Sequence, residues 1–164
     1  MTLRIRAAAP GDAPLVVELI QALAQYEKLA HEAIATPMQL DAALFGAPPK
    51  AYALIAEIEG EGIGFALYFF NFSTFLGKAG LYLEDLFVKP EVRGVGAGKA
   101  LLAELARIAV ANDCGRMEWS VLDWNTPSID FYQALGARPM SDWTTYRLTG
   151  DALTRLAQTP SMRR

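Results

Sequence analysis

The sequence predicts an α/β chain: a mixed, largely antiparallel central sheet flanked by helices on both faces. Apolar residues recur at helical spacing in some stretches and alternate with polar ones in others, and the two patterns take turns along the chain. Proline and glycine clusters such as "GAPPK" at 46–50 separate them. At 164 residues, 52% of them hydrophobic and 20% charged, the chain has the size and balance of one globular domain with its own core. Residues 1–156 are read as that domain and 157–164 as a frayed tail.

"LRIRA" at 3–7 alternates like a half-buried strand, and Pro10, Gly11 and Asp12 then end it. Leu15, Leu19, Leu23 and Tyr26 follow at helical spacing, so a helix runs to about Glu27. In "TPMQ" at 36–39, Thr36 is placed to cap, Pro37 suits a first turn, and Gln39 completes a capping box. "AYALIAEIE" and "GIGFALYFFNF" around "GEG" read as a hairpin, and "GLYLEDLFV" at 80–88 as the next strand. Leu101, Leu105 and Ile108 stripe a helix starting near Gly98. "RMEWSVL" at 116–122 is a fifth strand. "NTPSIDFYQALG" is a short helix with Pro127 in its first turn and Gly136 at its end. "WTTYRLT" is expected to close the sheet, with a helical turn in "GDALTRLA".

Composition narrows the function. A net charge of −3 disfavours a broad nucleic-acid-binding face. One cysteine, Cys114, allows no internal disulfide, and with one histidine, His31, leaves too few ligands for the usual zinc sites. Cys114 is read as a small residue of the interior, with a reactive thiol as the rival reading. "MTLRIRAAAPGD" has no long apolar run, so no leader or membrane anchor is expected, and the expected location is the cytoplasm.

Residues 89–102, "KPEVRGVGAGKALL", place glycines at 94, 96 and 98 before the helical stripe. A dinucleotide fingerprint beginning at Gly94 needs glycine at 99, where Lys99 stands; one beginning at Gly96 meets Leu101. A P-loop fails as well, because Arg93 and Ala100 occupy its required glycine and hydroxyl positions. What remains is Arg93-x-x-Gly96-x-Gly98 between a strand and a helix. Glycines admit backbone N–H groups to one anion, the helix start adds its dipole, and Arg93 and Lys99 add charge. The choice lies between a pyrophosphate cradle and a plain strand–helix turn.

This R/Q-x-x-G-x-G/A pattern behind "LYLEDLFV" resembles the central motif of the GNAT acyltransferases, which bind acetyl-CoA. "LAQYE" at 23–27, "GFALYFF" at 64–70, "YLEDLFVKPEVRGVGAGKALL" at 82–102 and "WNTPSIDFYQALGA" at 124–137 together resemble the branch of spermidine/spermine and thialysine acetyltransferases. The resemblance implies acetyl-CoA as cosubstrate without a metal, a small primary amine as acceptor, and a homodimer. It assigns the pantetheine arm to the backbone of Leu86, Phe87 and Val88. The phosphates fall to Arg93, Gly94, Val95, Gly96, Ala97, Gly98 and Lys99. Further coenzyme contacts fall to Asn125, Pro127, Ser128 and Tyr132. Tyr26, Glu27, Glu84, Glu118, Trp119 and Ser120 are placed on the amine side.

Acetyl transfer to an amine needs an acceptor for the ammonium proton, with a pKa near ~10.4 if lysine-like. It also needs polarisation of the thioester carbonyl and a proton for the departing sulfur. Glu84 is the candidate base; strict alternation sets it among Tyr82, Leu86 and Val88, and an exposed strand carboxylate beside Asp85 is the rival reading. Tyr132 is the candidate acid, with core packing beside Ile129 and Leu135 as its rival. Where the diamine enzymes hold the far ammonium of a polyamine with an acidic residue, "SDWTTYRL" offers Thr144, or Asp142 if the loop is shifted by two. A domain that binds acyl-CoA without catalysis is the alternative function, and it would lack the base or the acid.

Overall fold

The computed structural model describes residues 2–161. The chain forms two units, Met1–Leu122 and Asp123–Arg164. In the first, strands β1 (Leu3–Ala7), β2 (Tyr52–Ile58), β3 (Glu61–Ser73), β4 (Lys78–Val88) and β5 (Met117–Trp119) lie side by side in chain order. The first three pairings are antiparallel and β4–β5 is parallel, which is the mixed, largely antiparallel sheet expected. Helices α1 (Ala13–Tyr26), α2 (Pro37–Phe45) and α3 (Ala97–Ala111) complete this unit.

The local signals translate directly into these elements. Thr36 and Gln39 exchange both bonds of the capping box: the Gln39 N–H donates to Thr36 Oγ1 at 3.2 Å, and the Thr36 N–H donates to Gln39 Oε1 at 3.0 Å. The β2–β3 turn pairs Ile58 with Glu61 and places both Glu59 and Gly60 at positive φ, the backbone that a two-residue hairpin with the native twist requires. Ahead of α1, Arg6 grips the Asp12 carboxylate at 2.7 and 3.0 Å and Glu57 at 3.0 Å, tying β1, β2 and the helix start together. The hydrogen bonds from Arg6 hold the Asp12 carboxyl below its ordinary range.

Alternation sorts the sheet's side chains between two layers. Ala53, Ile55, Phe65, Leu67 and Phe87 pack with Val16, Leu19 and Leu23 of α1 and Leu40 and Leu44 of α2. On α3, Leu101, Leu102 and Leu105 are buried, and this helix packs chiefly against β4.

The second unit holds α4 (Thr126–Ala134) and α5 (Gly150–Ala157). Asn125 caps α4, its Oδ1 accepting the Ser128 N–H at 3.4 Å. Gly136 at φ 94° closes it, with the Gly136 and Ala137 N–H groups returning to Gln133 and Tyr132 carbonyls. Among the described residues of this unit, Asn125 alone is buried.

Two strand expectations are corrected. The fifth strand shrinks from 116–122 to Met117–Trp119, because its parallel ladder covers only Leu81–Leu83 of β4. "WTTYRLT" at 143–149 forms no strand: the sheet ends on β5, and these residues are exposed without regular structure. Strand propensity needs a partner ladder to be expressed, and among the described residues none forms on this segment. Of the expected tail, 158–161 are exposed and 162–164 lie outside the described residues.

Candidate active site

The site begins with one extra residue in β4. Leu67 pairs with Asp85 and Tyr68 with Leu83, so Glu84 is the additional residue of a β-bulge. A bulge bends its strand and raises the local twist. The ladder to β5 stops at Leu83, where the bulge begins, so 84–88 keep one backbone edge free of a strand among the described residues. Leu86, Phe87 and Val88, the predicted main-chain contacts of the pantetheine arm, lie on this stretch.

The bulge corrects the face assigned to Glu84. Tyr82 pairs with Phe69, their rings 5.2 Å apart, while Asp85 and Phe87 pair with Leu67 and Phe65 on that same side of the sheet. Leu86 and Val88 pair with Ala66 and Gly64 and turn to the other side, so the single face of Tyr82, Glu84, Leu86 and Val88 that strict alternation predicts is split. Glu84 itself is exposed, and burial falls on its neighbour. Asp85, partly buried, has its pKa pushed up to about 6, first by desolvation and then by the charges of Glu84 and Glu27. Burial also raises the Glu27 carboxyl. Asp85 therefore feels the charges of Glu84 beside it in the bulge of β4 and of Glu27 at the end of α1.

Arg93 joins the two segments that bear them. Its guanidinium lies 4.8 Å from the centre of the Tyr26 ring, and its Nε donates to the Val88 carbonyl at 3.3 Å. The side chain is thus committed to the ends of α1 and β4, and the loop it precedes is backbone and glycine. Gly94 and Gly96 sit at φ 94° and 82°, and a Cβ at 94, 96 or 98 would meet nothing within 4 Å. No side chain caps Gly96, the residue before α3. The first-turn N–H groups of a 15-residue helix and an open glycine hollow thus share one place, as anion binding requires.

The remaining predicted residues divide between two places. Glu118 pairs with Tyr82 across the β4–β5 ladder and forms an ion pair with Arg116 at 3.1 Å, and the Ser120 and Tyr82 hydroxyls lie 3.1 Å apart. Trp119 of β5 is partly buried. Asn125, Pro127, Ser128 and Tyr132 belong to the second unit at α4, where the Tyr132 ring is 5.7 Å from that of Phe131. The sequence offers Asp85, with Glu27 and Glu84, as a carboxylate able to attract a cation, but its burial depends on a bulge with no local signature. The Tyr26–Arg93 stack was missed as well, and nothing in the spacing of two residues so far apart signals it. Cys114 follows the end of α3 away from the glycine loop; it is partly rather than fully buried, and desolvation raises its thiol pKa.

The chain as a whole has counterparts among known proteins. The chain is 38% identical to the thialysine N-epsilon-acetyltransferase of Bos taurus, an alignment covering 93% of this chain and 96% of that protein. It is 33% identical to an L-ornithine N5-acetyltransferase of Arabidopsis thaliana, over 92% of this chain and 86% of that one. Among solved structures, an integron cassette protein from the mobile metagenome of V. cholerae superposes with a TM-score of 0.81 at 27% identity, over 97% and 99% of the two chains. Residues 17–137 match the acetyltransferase (GNAT) family, and the chain belongs to it.

Proposed function

We propose that this acetyltransferase moves the acetyl group of acetyl-CoA to the terminal amine of a small, amino-acid-like molecule by direct attack. The observation that carries the reading is the Glu27, Glu84 and Asp85 group beside the free edge of β4. It suits an ammonium that must be drawn in and then deprotonated, and relatives named for thialysine and ornithine act on amines of that size. Acetyl-CoA supplies the activated acetyl as a thioester. The Gly94–Gly98 hollow and the start of α3 hold its phosphates, and the 86–88 backbone holds its arm and polarises the carbonyl. Asp85 and Glu27 hold the ammonium. Exposed Glu84 accepts its proton and passes it to water, and Tyr132 returns a proton to the departing sulfur.

Selectivity follows from what stands at 142–144. A neutral Thr144 in place of a carboxylate forgoes a charge-assisted contact to a distant ammonium, worth about 1–3 kcal/mol, or roughly ten- to a hundredfold. Spermidine and spermine are therefore poor substrates beside thialysine, lysine or ornithine. The reading extends to a homodimer in the cytoplasm, and no described helix is long and apolar enough to cross a membrane. Thiol release from acetyl-CoA, followed as kcat/KM across those amines at one pH, tests the function. No release with any amine would overturn it, and a strong preference for spermine would overturn the role given to Thr144.

A further inference from the structure

On the side of the sheet that Asp85 faces, an ion pair stands a short way from it. Asp85 is the ladder partner of Leu67, and Tyr82 that of Phe69, two residues further along β3 and so on the same side. Glu118 stands opposite Tyr82 on β5, again on that side. Arg116 lies two residues before Glu118 and is held in line by the Leu81 N–H, which donates to the Arg116 carbonyl at 3.0 Å. The Arg116 Nε lies 3.1 Å from Glu118 Oε1, and the two side chains keep 46% and 36% of their surface exposed, so both charges stay open to a ligand.

The spacing suits a particular molecule. Two residues of strand and one strand-to-strand step separate Asp85 from Glu118, roughly 8 Å on the diagonal. The terminal nitrogen and the α-carbon of an extended lysine are about 6 Å apart, and side chains bridge the rest. Between the two ends the rings of Phe69 and Tyr82, 5.2 Å from centre to centre, offer an apolar floor for a methylene stem. The order of charges fits as well. An α-amino acid carries an ammonium and a carboxylate on one carbon, and Glu118 with Arg116 presents the opposite pair at similar spacing. A plain diamine would bring a second ammonium against the Arg116 guanidinium instead.

We propose that Arg116 and Glu118 read the α-amino-acid head of the acceptor, Arg116 holding the carboxylate and Glu118 the α-ammonium, while the terminal amine lies at Asp85. A guanidinium binds a carboxylate through two parallel N–H donors, which fixes the orientation of the head as well as its charge. The resemblance places Glu118 on the amine side without saying which part of the molecule it meets, and it says nothing of Arg116. This role rests on the function proposed above and narrows its acceptor to an α-amino acid with a terminal amine.

The test compares amines that differ by one group. For the better of lysine and ornithine, kcat/KM is set against that of the diamine lacking only the carboxylate and of the amino acid lacking only the α-amine. The natural chain should prefer the complete amino acid to both. Arg116→Gln should lower its preference over the diamine by roughly tenfold or more, through KM rather than kcat. Glu118→Gln should do the same to the preference over the acid without an α-amine. Arg116→Lys should restore part of the first preference, since it keeps the charge and loses the fork. A natural chain that uses the diamine as well as the amino acid overturns the inference without any variant. So does an Arg116→Gln chain that loses both activities by one factor, or neither, because a packing role or an idle surface pair cannot tell the two amines apart. No thiol release with any amine is a different failure: it overturns the proposed function, and this inference with it.

Discussion

Asp85 shows how a single residue acquires chemistry that its neighbour in sequence does not. Glu84 and Asp85 are adjacent carboxylates, yet the bulge exposes the first and partly buries the second beside two other negative charges. The folded state raises the Asp85 pKa from 3.8 to about 6 and so holds its proton more tightly than the unfolded chain does. Its contribution to stability is full at low pH and is lost as pH rises through about 6. The size of that loss has a ceiling of about 3 kcal/mol. Asp85→Asn should flatten the fall in the urea midpoint between pH 4 and 7; an unchanged slope would place the burial cost elsewhere. In the natural enzyme, KM for the amine should rise as pH falls through 6 and Asp85 loses its charge. In Asp85→Asn that dependence should disappear.

Elements differ in how much of themselves they announce. α2 was legible because a capping box is a contact between residues three apart, and Thr36 and Gln39 make it as read. The glycine loop was legible for the same reason: positive φ at 94 and 96 is a demand that only the local backbone makes. The bulge, the shortened β5 and the unpaired 143–149 were not, since each depends on which strands meet and where. A prediction belongs to the loop as an element. Gly96→Val puts a branched side chain into an open hollow at a φ that such residues avoid, a strain of about 1–3 kcal/mol. Calorimetry should find CoA binding weakened at least tenfold, with α3 still formed by circular dichroism. Unchanged affinity would mean that the phosphates bind elsewhere.

At the scale of the molecule, the chemistry predicted is a single direct transfer. Cys114 sits beyond the C-terminal end of α3 and the glycine loop at its N-terminal start, about 22 Å apart at the rise of a helix. Its raised thiol pKa also leaves little thiolate near neutral pH. Mass spectrometry of enzyme incubated with acetyl-CoA alone should show no acetyl adduct able to react onward with amine. Finding one would replace direct attack by a two-step route. The sequence by itself determined the α/β class, the order of elements through β5 and the glycine loop, because periodicity, caps and turns act between residues close in the chain. The resemblance it carried also named the family that residues 17–137 then matched. Only the tertiary structure decided which carboxylate is buried, which strand edges stay open and which predicted strand goes without a ladder. Those properties arise where segments distant in sequence do or do not meet, and no local pattern encodes that.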